Sequence, residues 1–139
     1  MKLKNYACGH WVEGTGTGTP LFNAVTGETV AYAGSGGLDF AAMMDYARRT
    51  GGPALRKMTF HQRALMLKRL ALYLSERKEL FYRLSAATGA TKIDSAIDID
   101  GGISTMFVFA SKGRRELPDQ PFLTEGATEK NKKNGTFLG

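Results

Sequence analysis

The hydrophobic positions follow two different rhythms. Between Asn5 and Ala33 they come in short runs broken by turn-forming residues, and from Leu38 onward they recur at three- and four-residue steps. The first rhythm predicts strands and the second helices. The clearest helical stretch runs from Thr59 to Gly89. Thr59 and Gln62 have the spacing of a capping box, in which each side chain satisfies a backbone N–H left unpaired at a helix start. Behind them Ala64, Leu67, Leu70, Ala71 and Leu74 share one face, while His61, Lys68, Arg69 and Glu76 fall largely off it. Ser75-Glu76-Arg77 predicts a break, followed by a second apolar set in Leu80, Phe81 and Leu84. Gly89 is the expected C-terminal cap, since glycine takes a positive φ without strain.

Upstream, Asn5–Val12 reads as one short strand and Gly14–Pro20 as a loop. Leu21–Val25 and Thr29–Ala33, joined by Thr26-Gly27-Glu28, read as a hairpin. A first helix is expected from Leu38 to about Thr50, with Asp39 in its first turn and Gly51-Gly52-Pro53 ending it. Ala54–Met58 is then a short link, about one helical turn. A later helix is expected to start at Asp94 or Ser95 and to end before Pro118, with Ile103, Met106, Phe107 and Ala110 as its apolar stripe. Beyond Pro118 the chain turns polar. Asn134-Gly135 is a turn signal, and Thr136-Phe137-Leu138 opens a strand with nothing after it to pair with. The expected fold is therefore mainly α: a hairpin region (5–33), a helical part (38–117) and the start of a strand region (118–139), all within one domain.

Charge adds little. The chain of 139 residues has 19 Lys and Arg against 13 Asp and Glu, a net charge of +6. Most of the excess lies between Arg48 and Arg83, interleaved with apolar positions. Such a face attracts phosphate, nucleic acid or anionic membrane, but no nucleic-acid module pattern accompanies it, and a solvated face is the simpler reading. A self-standing basic helical interaction module is the alternative. No apolar run approaches the roughly 20 residues that span a bilayer. Met1-Lys2-Leu3-Lys4 lacks the apolar stretch of a secretory signal, so a cytoplasmic location is the default, with neither nucleic acid nor membrane as a partner.

Candidate chemistry is sparse. Cys8 is the single cysteine, and Cys8-Gly9-His10 offers too few ligands for zinc, which leaves packing as its role. The run from Gly14 to Gly18 looks superficially like a phosphate cradle. It lacks both the Gly-Lys-Ser/Thr ending of a P-loop and the glycine spacing of a dinucleotide fingerprint. No metal site is expected. Asp98-Ile99-Asp100-Gly101-Gly102 lies within the last helix. Its carboxylates, two positions apart, point to different sides and cannot readily share a site; partnering the helix dipole is the simpler reading. Each glycine costs a helix interior about 1 kcal/mol relative to alanine. Close packing, a bend or a need for empty space beside the backbone must offset that.

Several phrases, in this order, resemble the aldehyde dehydrogenase family. They are Gly9-His10-Trp11-Val12-Glu13-Gly14; Asn23-Ala24-Val25-Thr26-Gly27-Glu28, where Ala24 replaces the family's proline; and the helix pattern of Arg63, Leu67, Leu70-Ala71 and Leu74. Gly52–Phe60, Thr88–Thr91, Asp98–Gly102 and Ser111–Asp119 resemble more narrowly a subgroup of phenylacetate degradation, a semialdehyde dehydrogenase fused to an enoyl-CoA-hydratase-like ring-opening (oxepin-CoA hydrolase) domain. A sister group of benzoyl-CoA breakdown shares the Asp-Ile-Asp-Gly-Gly phrase, and Arg115–Asp119 favours the phenylacetate subgroup.

The resemblance implies an α/β family fold of which this chain is the opening, mainly helical part of the cofactor domain. It implies a homo-oligomeric enzyme that oxidises a coenzyme-A-linked semialdehyde with NADP or NAD. The family's nucleophilic cysteine, basic glutamate, oxyanion asparagine and cofactor-phosphate lysine all follow the stretch this chain matches. The chain is thus expected to be an amino-terminal fragment, inactive alone, with no cofactor bound, and Cys8 does not carry over as nucleophile. Gly101 and Gly102 are candidates for widening the passage by which aldehyde reaches that cysteine.

Overall fold

The computed structural model describes residues 1–124, 126, 129–131 and 135–137. Its first element is a hairpin. β1 (Lys4–Ala7) and β2 (His10–Glu13) pair antiparallel, with Lys4 opposite Glu13 and Ala7 opposite His10. The single strand expected over Asn5–Val12 is thus folded back on itself at Cys8-Gly9, where both residues have positive φ, 50° and 90°. That left-handed pair suits the twist of a two-residue hairpin. Cysteine is an unusual first member, which is why the turn is hard to read from sequence. β3 (Thr19–Phe22) and β4 (Thr29–Ala33) form the expected second hairpin, although Thr19 and Pro20 belong to the strand and not to the loop before it. The Asn23 side chain accepts from the Val25 and Thr26 amides at 2.9 and 3.2 Å and so shapes the turn.

Asp39 caps the first helix, accepting from the Ala42 amide at 2.9 Å. α1 (Phe40–Tyr46) does not end at Gly51-Gly52-Pro53 as expected. It passes through a π-helical turn, Ala47–Gly51, directly into α2 (Gly52–Lys57). Pro53 sits in the first turn of α2, where its missing N–H leaves no bond unmade.

α3 (Phe60–Ser75) begins at the predicted capping box, with both bonds present at 3.1 and 2.9 Å. The break at Glu76-Arg77 and α4 (Lys78–Ala87) follow as expected, and Gly89 takes a φ of +86° just beyond. α5 (Lys92–Arg115) starts earlier than Asp94 or Ser95. Thr91 is its cap, and Asp94 returns the bond as the third helical residue, so Thr91-x-x-Asp94 is a second capping box with Asp in place of Glu.

The connection after α5 is pinned to the start of α3. Arg63 donates to the Met58 and Pro121 carbonyls at 3.2 and 2.9 Å, and its guanidinium lies 4.5 Å from the Phe60 ring centroid. His61 Nε2 donates to the Leu117 carbonyl at 3.0 Å. The strand expected at Thr136–Leu138 does have a partner: β5 (Glu129–Asn131) pairs antiparallel with β6 (Gly135–Phe137). Asn134 of the predicted turn, and Leu138, lie outside the described residues.

The core is built of small side chains. Ala64 and Ala71 on α3, and Ile103 and Ala110 on α5, are buried; each pair is seven residues apart, the repeat of one helix face. Leu67, Leu74, Met106 and Phe107 are half-buried, whereas Leu70, assigned to the same face, is exposed. Much apolar surface stays open, including Trp11 (66% exposed), Leu84 (61%) and Phe109 (63%). The accessible surface is 10601 Å², against roughly 7,100 Å² for a compact monomer of 15.1 kDa. Among the described residues no helix is long and apolar enough to cross a membrane.

Candidate functional site

Between α4 and α5, polar side chains meet along one seam. Lys78, Tyr82 and Ser85 recur at helical spacing on α4 and face α5. Near the connecting turn, Ser95 donates to Ser85 Oγ at 2.8 Å, and Ser95 is buried. Further along, Asp100 is held on both oxygens. Lys78 Nζ donates to Oδ1 at 3.1 Å, and the Tyr82 hydroxyl makes a short hydrogen bond to Oδ2.

The consequences for protonation follow. The Tyr82 bond, reinforced by that from Lys78, holds the Asp100 carboxyl below its usual range. The same bond pushes the Tyr82 phenol up, helped by partial desolvation and by the charges of Asp100 and Glu79. A cavity of about 440 Å³ opens beside the seam, lined by Lys78, Tyr82, Arg83, Lys92 and Ser95 among others.

The helix-dipole role expected of Asp98 and Asp100 does not hold. With α5 starting at Lys92, Asp98 and Asp100 lie beyond the first turn, too far in to serve the helix dipole. Their divergence is as the two-residue spacing requires: Asp98 is exposed, and Asp100 turns toward α4. Tyr82 and Lys78 escaped the sequence reading because their partner lies on another helix, and spacing within α4 carries no sign of it.

Gly101 and Gly102 follow Asp100 directly. Both are exposed, and a Cβ built on either meets nothing within 4 Å. No contact within the described residues requires glycine there. Gly102 lines an apolar groove of about 430 Å³ with Leu74, Phe81, Ile99, Ile103 and Met106. Thr105 Oγ1 donates to the Gly101 carbonyl at 2.9 Å.

The remaining candidates are separate from this seam. Cys8 is half-buried in the β1–β2 turn, and His10 Nδ1 lies 3.2 Å from its carbonyl oxygen. Among the described residues no group of three His, Cys, Asp or Glu could hold a metal ion. The glycine-rich loop points its carbonyls inward: Lys2 Nζ is held by Gly14 O and, at 2.5 Å, by Gly16 O, while the Thr15 amide donates to Gly36 O. Carbonyls gathered around an ammonium are the reverse of a phosphate cradle, which needs N–H groups. This loop does not present the N–H groups that a dinucleotide's phosphates would need.

Two comparisons bear on these features. Residues 11–135 match the model of the aldehyde dehydrogenase family. The whole chain is similar, at 36% identity over 140 residues, to a 3,4-dehydroadipyl-CoA semialdehyde dehydrogenase of Aromatoleum evansii. It spans 27% of that relative's length.

Proposed function

Because the chain belongs to the aldehyde dehydrogenase family, we propose that it is the amino-terminal part of an NAD- or NADP-dependent enzyme that oxidises a coenzyme-A-linked semialdehyde to the acid. The similarity of this whole chain to part of a relative named for such a substrate is the observation that carries this reading. Thiolate, base and cofactor cradle are proposed to be supplied by residues outside this chain, which spans 27% of the relative's length. The complete enzyme is proposed to be a homo-oligomer.

For the pathway we propose phenylacetate degradation, on the Gly52–Phe60 and Arg115–Asp119 phrases. The Aromatoleum relative supports the other reading, in which the substrate is the 3,4-dehydroadipyl-CoA semialdehyde of its name. Feeding both semialdehydes to the complete protein separates them: the one with the higher kcat/KM is the substrate class.

Gly101 and Gly102 are proposed to line the substrate passage. A long coenzyme-A ester must stay in that passage while its aldehyde end reacts, and side chains removed at two successive positions leave it room. The open space beside both Cα atoms and the adjoining groove support this. Gly101→Met in the complete enzyme tests it. Oxidation of a short aldehyde should persist while kcat/KM for the coenzyme-A substrate falls and the melting temperature holds. Parallel loss of both substrates together with stability would point to packing instead.

A further inference from the structure

We propose that Asp100, held by Tyr82 and Lys78, is a positioning residue that sets the width of the groove beside Gly101-Gly102 and so biases the enzyme toward long substrates; this rests on the passage reading above. Tyr82 adjoins Phe81 on α4, and Asp100 lies two residues before Gly102 on α5. Phe81 and Gly102 are two walls of the same groove. The bond from Tyr82 to Asp100 therefore ties one wall to the other at its edge.

The tie sits where α5 needs it. Two successive glycines loosen a helix because they surrender the most backbone entropy on ordering. The Thr105 hydroxyl also engages the Gly101 carbonyl, a bond that competes with the helix's own amide and favours bending. With nothing within 4 Å of either glycine's missing Cβ, the two glycines themselves add no side-chain packing to this turn. Besides Ile103, buried against α3, the restraint on the α4 side comes from the residue just before the glycines, with both carboxylate oxygens fixed to α4. The Ser85–Ser95 bond joins the same two helices near their connecting turn, away from the groove, and supplies a control.

Tyr82→Phe, Asp100→Asn and Ser85→Ala are compared in the complete protein. Tyr82→Phe should speed amide hydrogen exchange over residues 102–106 by about tenfold. It should also lower the kcat/KM ratio of coenzyme-A-linked semialdehyde to short aliphatic aldehyde by about fivefold. Asp100→Asn retains an acceptor for the Tyr82 hydroxyl and should show smaller changes in the same direction, and Ser85→Ala should change neither readout. Unaltered exchange in Tyr82→Phe overturns the proposal, as does an equal response to Ser85→Ala. If the unmutated protein oxidises no aldehyde, the proposed function fails; the exchange arm then decides the tie by itself, with local acceleration in Tyr82→Phe but not in Ser85→Ala supporting it and its absence in Tyr82→Phe ending it.

Discussion

Ala64 on α3 and Gly113 on α5 meet across the contact between the two helices: a methyl built on Gly113 would lie 3.3 Å from the Ala64 Cβ. The approach is tight because the buried residues on these two helices are mostly small: Ala64, Ala71 and Ala110, with Ile103 the one large apolar side chain among them. At these positions a longer side chain meets the facing helix. Ala71→Leu, at a position with no accessible surface, is expected to destabilise the chain by about 1–3 kcal/mol through overpacking. Denaturant titration of the 139-residue chain measures this, and an unchanged or raised midpoint would show that the helices are not close-packed.

The opposite is expected directly after Asp100. Gly101 and Gly102 are helical, neither has a positive φ, and an added methyl meets open space. Alanine at either site should therefore stabilise this chain by about 0.5–1 kcal/mol. A drop in melting temperature for Gly101→Ala would mean that something packs against that turn in solution.

What the sequence made legible was local, and what it hid was not. The Thr59–Gln62 box lies within four residues and could be read directly, as could the Gly27 turn shaped by Asn23. Thr91–Asp94 has the same geometry, but aspartate in place of glutamate made Asp94 resemble the cap itself. Gly51-Gly52-Pro53 looked like a terminus because the pattern gives no hint that a π-helical turn can absorb the proline. Asp100 was conspicuous beside Asp98, yet its partners come from α4, so the pair looked like the unit when the interhelical link is. The glycine pair was legible as an anomaly of helix chemistry alone.

The Tyr82–Asp100 bond makes stability depend on pH at both extremes. Asp100's folded value is depressed, so its contribution is present above the ordinary carboxylate range and is lost as pH falls through the depressed value. Tyr82's folded value is raised, so its contribution is present below the ordinary tyrosine range and is lost as pH rises through the raised value. Ultraviolet titration of phenolate should find one of the five tyrosines ionising later than the rest. Asp100→Asn should return that tyrosine toward the others; if the late transition persists in the variant, Asp100 is not its cause.

Open apolar surface sets the solution behaviour. An accessible area of 10601 Å², with Trp11, Leu84, Ile93 and Phe109 all more than half exposed, exceeds what a compact monomer of this mass presents. The purified chain is expected to bind hydrophobic dyes and to sediment in a concentration-dependent way. A sharp cooperative melt, with monomeric sedimentation and no dye binding, would contradict this.

The last expectation concerns Cys8 and turnover. Aldehyde oxidation needs a thiolate with a base to activate it, donors for the oxyanion and an acceptor for hydride. Cys8 sits in the hairpin turn with a φ of 50°, fixed there by the strands it joins. His10 is two residues away, but its ring contacts the Cys8 carbonyl oxygen at 3.2 Å, not the thiol. The described loop that most resembles a phosphate cradle is filled by the Lys2 ammonium. The 139-residue chain should therefore produce no reduced nicotinamide from any aldehyde, and Cys8→Ser in the complete protein should leave kcat within about twofold of the parent, as for a side chain remote from the reacting atoms. Reduced nicotinamide formed by the chain alone and abolished by Cys8→Ser would make Cys8 a nucleophile after all.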